Sequence, residues 1–172
     1  MRKVLIPFAV LALILLGAYF LPPKKSVSDL TIVAFGDSLT YGTGSEKGGG
    51  FVSILEENLG VPIINMGVPG DTTAKALARI DLITVQKPDI VIVLLGGNDL
   101  LQHVPASETA RNIALIDATL RNSGSKVLLL PLSILEGVWG HAELMSDNLH
   151  PNDKGYAVMA AQIEPKLRKL LP

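Results

Sequence analysis

The chain has no cysteine among its 172 residues. That absence excludes a disulfide scaffold, a thiolate nucleophile, a cysteine-ligated zinc site and a lipid-modified N-terminal cysteine. Basic charge is scarce after the first 25 residues. Arg2, Lys3, Lys24 and Lys25 flank the first apolar run, and the rest of the chain holds 11 basic against 16 acidic side chains. A domain with that balance lacks the basic face needed to neutralise phosphates, so nucleic acid is not an expected partner. Repeats and low-complexity tracts are missing too. What is present, 48% apolar and 18% charged residues, fits one globular domain rather than a disordered chain.

Val4 to Leu21 is eighteen residues without a charge, closed by Pro22-Pro23-Lys24-Lys25. A cleavable secretory signal has a shorter apolar core and ends on small residues spaced A-x-A, whereas Leu16-Gly17-Ala18 puts a bulky side chain first. Eighteen residues lie near the lower limit for crossing a bilayer. The expectation is therefore an N-terminal anchor or signal segment over residues 1–25, with the retained anchor preferred. Residues 26–172 follow as the functional domain, and an N-terminus-in orientation places that domain outside the cytoplasm. Pro22 to Ser28 reads as a stiff polar linker.

From Leu30 onward, short apolar runs alternate with segments of helical period, the pattern of parallel strands joined by crossover helices. Strands are predicted over Leu30 to Gly36, Pro62 to Met66, Ile90 to Leu95 and Val127 to Pro131. They are near-continuous apolar runs, as expected of strands covered on both faces. Helices are predicted over Gly50 to Leu59, Thr72 to Thr84, Ser107 to Ser123 and Asn152 to Leu171. Pro165 should kink or interrupt the last, because proline removes a backbone donor and crowds the preceding turn.

In an open parallel sheet, ligands bind beyond the carboxyl ends of the strands. The predicted strand ends are followed by Gly36-Asp37-Ser38-Leu39-Thr40, by Gly67-Val68-Pro69-Gly70-Asp71-Thr72 and by Gly96-Gly97-Asn98-Asp99. Downstream, Asp147 and His150 stand three apart before the final helix. A serine hydroxyl becomes a nucleophile only when a base takes its proton, and the base needs a third group to hold one tautomer. Ser38, His150 and Asp147 supply those three parts. Gly70 lacks a Cβ, so its amide can approach a substrate closely. Asn98 offers amide donors with no proton to lose, which suits stabilising an oxyanion.

These blocks, Gly36-Asp37-Ser38-Leu39, Gly70 with Asp71-Thr72, Gly97-Asn98-Asp99 and Asp147-x-x-His150, resemble those of the SGNH or GDSL hydrolase family and occur in its order. The likeness runs from residue 36 to 150 and is greatest to the small bacterial lysophospholipases, thioesterases and arylesterases. It implies a three-layer α/β/α, flavodoxin-like fold. It also implies Ser38 as nucleophile, His150 as general base and Asp147 as its orienting carboxylate, with an oxyanion hole from the Ser38 and Gly70 amides and the Asn98 side chain. Only 48 residues separate Asn98 from Asp147, where typical members fit a further strand–helix unit. A short sheet of four parallel strands is therefore expected.

Taken singly, each residue fits a commoner role: Ser38 a turn hydroxyl, Gly70 a turn glycine, Asn98 a left-handed turn residue and Asp147 a helix cap. Their joint order favours catalysis. Asp37, Asp71 and Asp99 read as loop-orienting or N-cap carboxylates, and His103 and His141 as surface histidines without metal-ligand spacing. Trp139 and Met145 fit two roles, lining an acyl pocket or filling the core under the last loop. Gly42-Thr43-Gly44 and Gly48-Gly49-Gly50 match neither nucleotide-binding spacing, and G-x-S-x-G is absent. No cofactor or metal is called for. The expected activity is hydrolysis of small acyl esters or thioesters through an acyl-serine, falling in acid as His150 takes up a proton. A carbohydrate O-deacetylase of the same fold and an inactive, membrane-tethered binding domain are the alternatives.

Overall fold

A computed structural model describes residues 25–172; the apolar run Val4 to Leu21 lies outside them. Four strands, β1 (Ile32–Gly36), β2 (Ile63–Gly67), β3 (Ile90–Leu94) and β4 (Lys126–Leu129), form one parallel sheet in the order β2-β1-β3-β4. Around it lie α1 (Ser38–Tyr41), α2 (Gly50–Leu59), α3 (Thr73–Ala78), α4 (Asp81–Thr84), α5 (Gly97–Leu101), α6 (Ala106–Asn122) and α7 (Asp153–Arg168). The fold is the expected three-layer α/β/α arrangement with four strands.

Side chains alternate across each central strand, so β1 and β3 feed two cores. Ile32 and Ala34 with Ile90, Ile92 and Leu94 pack under α2 and α7 through Phe51, Leu55, Tyr156, Met159 and Ile163. Val33, Phe35, Val91 and Val93 pack on the opposite face under α3, α4 and α6 through Ala76, Ile83, Ile116 and Leu120. Right-handed crossovers account for this division. The chain runs from β1 to β2 in one direction across the sheet, then back past β1 to β3 and on to β4, so the first crossover falls on one face and the next two on the other. Continuous burial holds for β1 and β3 only. β2 and β4 are edge strands with partly exposed side chains, Ile64 at 40% among them.

Three helical expectations change. The Thr72 to Thr84 segment is divided at Arg79, whose guanidinium leaves the helical path to reach Asp71 Oδ2 at 2.6 Å and the Gly36 carbonyl at 3.0 Å, over the Phe35 ring. The Gly97–Leu101 segment, read as a turn, is a helical turn. The last helix does not break at Pro165 but runs on to Arg168. Leu167, fully buried, holds that final turn against the core, and Arg168 spans Pro165 to pair with Glu164 and reaches the Asn58 carbonyl. Among the described residues no helix is long and apolar enough to cross a membrane.

Candidate active site

The strand order reverses between β1 and β3, and the crevice at such a switch point is where ligands bind in open α/β sheets. Ser38 opens α1 directly after β1, and Asn98 sits in α5 directly after β3. The two line one small apolar pocket with Asp37, Leu100, Leu101, Trp139 and Leu149. As the first residue of its helix, Ser38 has an N–H with no partner inside that helix.

His150 arrives from far along the chain. The segment after β4 passes through two 3-10 turns, Leu132–Leu135 and Ala142–Leu144, before reaching the Asp147–His150 turn and then α7. Asp147 Oδ1 accepts from the backbone N–H groups of Leu149 at 2.7 Å and His150 at 2.6 Å, which closes the turn. Its other oxygen lies 2.9 Å from His150 Nδ1, and His150 Nε2 lies 3.0 Å from Ser38 Oγ. With Asp147 ionised, Nδ1 carries the ring proton and Nε2 is left as the acceptor for the serine hydroxyl. The His150 ring first, then the two backbone donors, hold the Asp147 carboxyl down at about 2. The imidazole is mostly buried, while the carboxylate is 54% exposed.

The turn is fastened from outside. Asn152 accepts from Lys154 and Gly155 N–H as the cap of α7, and its Nδ2 donates to the Glu143 and Met145 carbonyls. Tyr156 Oη donates to the Thr43 carbonyl at 2.7 Å and Ser45 Oγ to Asp153 at 2.6 Å, joining α7 to the loop after α1. A Cβ at Gly44, which has φ +94°, would collide with Ser146 Oγ and the Pro151 carbonyl, so only glycine permits this loop to lie against the histidine turn. Neither Asn152 nor this glycine contact was identifiable as site support: Asn152 reads as an ordinary helix cap until the loop before it folds back onto its amide, and Gly44 meets Ser146 and Pro151 across about a hundred residues.

Around the serine, three carboxylates hold loops. Asp99 accepts from the Thr73 N–H at 2.8 Å and from its hydroxyl. Asp71 pairs with Arg79, and since Arg79 also reaches the Gly36 carbonyl, this pair braces the end of β1. Asp37 caps α1 by accepting from Leu39 N–H at 3.0 Å. Asn98 Nδ2 donates to the Asp71 carbonyl at 2.9 Å and faces Asp37 Oδ2 at 3.4 Å, which brings it within one residue of Gly70. Gly70 has φ +82° and is exposed, with open space where a Cβ would stand. His103 and His141 are both exposed, His141 beside Glu143 along the cleft that Asp147 also lines. Trp139 takes the pocket-lining role and is 41% exposed, whereas the half-buried Met145 packs on the core and also borders a neighbouring cleft.

Burial lifts the Asp37 carboxyl from its ordinary 3.8 to about 6, against the lowering effect of the Leu39 N–H. The folded state thus binds more protons than the unfolded chain between those values, and stability falls as pH rises through that window. Asparagine is an equally good helix cap without the charge. Asp37→Asn should therefore raise stability by about 2–3 kcal/mol above pH 6, with no such gain below 3.8. Denaturant melts at pH 3.5 and 7.5 check this; an equal change at both values would contradict it.

Residues 34–141 match the model of the GDSL-like Lipase/Acylhydrolase family. The chain belongs to that family. Among proteins similar to this acylhydrolase is Esterase TesA of Pseudomonas aeruginosa, 27% identical over 82% of this chain and 89% of that protein. The Escherichia coli K12 protein called thioesterase 1/protease 1/lysophospholipase L1 is 26% identical over 60% of this chain and 51% of its own length. A crystal structure of TesA superposes with a TM-score of 0.76, covering 82% of this chain and 99% of that one at 27% identity.

Proposed function

We propose that this acylhydrolase cleaves carboxylic esters or thioesters by double displacement at Ser38. His150 Nε2 takes the Oγ proton as Oγ bonds to the substrate carbonyl carbon. The oxygen of that carbonyl becomes an oxyanion, received by the Ser38 and Gly70 amides and by Asn98, whose long 3.4 Å contact to Asp37 is the one an oxyanion displaces. The carbon–leaving-group bond then breaks, and the departing alkoxide or thiolate takes the proton from Nε2. Water, losing a proton to the same nitrogen, attacks the acyl-serine carbon, and Oγ recovers that proton as it leaves. Asp147 keeps Nε2 available at each step and stabilises the imidazolium.

The observation that carries this reading is the unbroken path from Ser38 Oγ through both ring nitrogens of His150 to Asp147, at 3.0 and 2.9 Å. An organophosphonate tests it. The reagent should add covalently to Ser38, seen as a mass increment on that peptide and absent in Ser38→Ala, alongside hydrolysis of chromogenic esters. Folded protein showing neither label nor hydrolysis overturns the enzyme and leaves a binding domain. The uncharged run Val4 to Leu21 supports a site of action outside the cytoplasm for the domain beginning near residue 26, either anchored by that run or released from it. Mass measurement of the mature cellular form distinguishes the two.

A further inference from the structure

The pocket beside Ser38 is small. It offers about 40 Å³ and is lined by Ser38, Asn98, Trp139 and Leu149 among others. Since one water-sized group needs roughly 10–15 Å³, about three such groups fit beyond the reacting carbonyl. Leu100 and Leu101, 65% and 54% exposed, form its open rim, so carbons that spill over them remain largely in water. A second cleft, of about 480 Å³, is lined by His141, Met145, Asp147 and Asn148. Among the described residues, Trp139 alone lines both. Its Nε1–H donates to the Leu149 carbonyl at 3.2 Å, which fixes the indole between them.

We propose that Trp139 sets acyl-chain length, its indole walling the Ser38 pocket off from the larger cleft so that the enzyme selects acyl groups of two to about four carbons. This rests on the hydrolase reading above and deepens it. A chain of six or eight carbons carries methylenes that gain no burial while the indole stands. Truncating the side chain joins the two spaces, and each methylene newly buried is worth about fourfold in kcat/KM. The hydrogen bond to Leu149 orients the ring, but the ring's bulk makes the wall.

The test is kcat/KM across p-nitrophenyl esters of two to ten carbons for the wild-type chain and for Trp139→Ala, Trp139→Leu and Trp139→Phe, with phosphonate labelling of Ser38 to confirm an assembled site in each. The wild type should decline beyond four carbons. In Trp139→Ala the ratio of eight-carbon to four-carbon activity should rise by about tenfold or more, as two or more methylenes find cover. Trp139→Leu should rise less. Trp139→Phe, which keeps the bulk and loses the N–H, should retain the wild-type profile. A ratio unchanged within twofold in labelled Trp139→Ala and Trp139→Leu, or a wild type that already prefers eight carbons, overturns the inference while hydrolysis itself stands. No labelling and no hydrolysis at any length overturns the hydrolase reading instead.

Discussion

Ser38→Ala and His150→Ala should each lower turnover by about 10⁵ to 10⁶, and the double variant should be no worse than the poorer single one. The physical reason is that the two groups act as one device. His150 Nε2 stands 3.0 Å from Ser38 Oγ and, among the described residues, no other titratable side chain hydrogen-bonds that hydroxyl, so a serine without its imidazole keeps its proton and an imidazole without the serine has nothing to activate. On the proposed mechanism, whatever acceleration survives comes from the oxyanion donors and substrate positioning, which none of these variants removes. The measurement is kcat on a short chromogenic ester, normalised to properly folded protein. Multiplicative losses in the double variant would mean that the two residues contribute separately, and that His150 is not the base for Ser38.

The same coupling explains why the site lies where it does. Neither residue is brought to the other by local structure. β1 delivers Ser38 to the sheet's reversal point, and the descent from β4 to α7 delivers His150 to the same rim, 112 residues later. The Asp71–Arg79 pair and the Asp99–Thr73 bonds hold the β2–α3 and β3–α5 turns on either side, so the loops that surround the serine are tied to one another as well as to the sheet. The sheet has four strands, and the histidine turn is fastened to α7 and, through α7, to the loop after α1 rather than to a further strand.

What could be read from the residues alone follows from how local each signal is. β1 and β3 are legible because a strand buried on both faces must be apolar at every position, while β2 and β4 owe their edge status to strand order, which no short window contains. The break at Arg79 was not legible: its partners, Asp71 and the Gly36 carbonyl, lie outside any helical spacing. Ser38, Asp147 and His150, which the structure brings within hydrogen-bond reach of one another, could be singled out by residue type and order, since the proposed chemistry demands those groups. The supports were not. Asn152 reads as an ordinary helix cap, Tyr156 as a core aromatic and Gly44 as a loop glycine, until the chain is folded back on itself. Trp139 carried two readings in sequence because whether an aromatic fills a core or walls a pocket depends on exposure, and here it is 41% exposed.

Asp147→Asn should cost about 10³ to 10⁴ in turnover while leaving the fold intact. The carboxylate makes two kinds of bond. Oδ1 accepts the Leu149 and His150 backbone N–H groups that shape the turn, and an asparagine carbonyl oxygen can accept both. Oδ2 accepts from His150 Nδ1, and there the asparagine amide presents N–H instead. The ring must then accept at Nδ1, which moves its proton to Nε2, opposite Ser38 Oγ. A nitrogen already protonated cannot take the serine proton, so the base is present and correctly placed but in the wrong tautomer. Because the Asp147 side chain is 54% exposed, water competes for the ring and the loss should fall toward the lower end of that range. Thermal midpoint and phosphonate labelling rate separate the two effects: the midpoint should stay near wild type while labelling slows in step with turnover. A variant that melts early, or one that loses less than tenfold in rate, would make Asp147 a turn-former rather than the group that sets the tautomer.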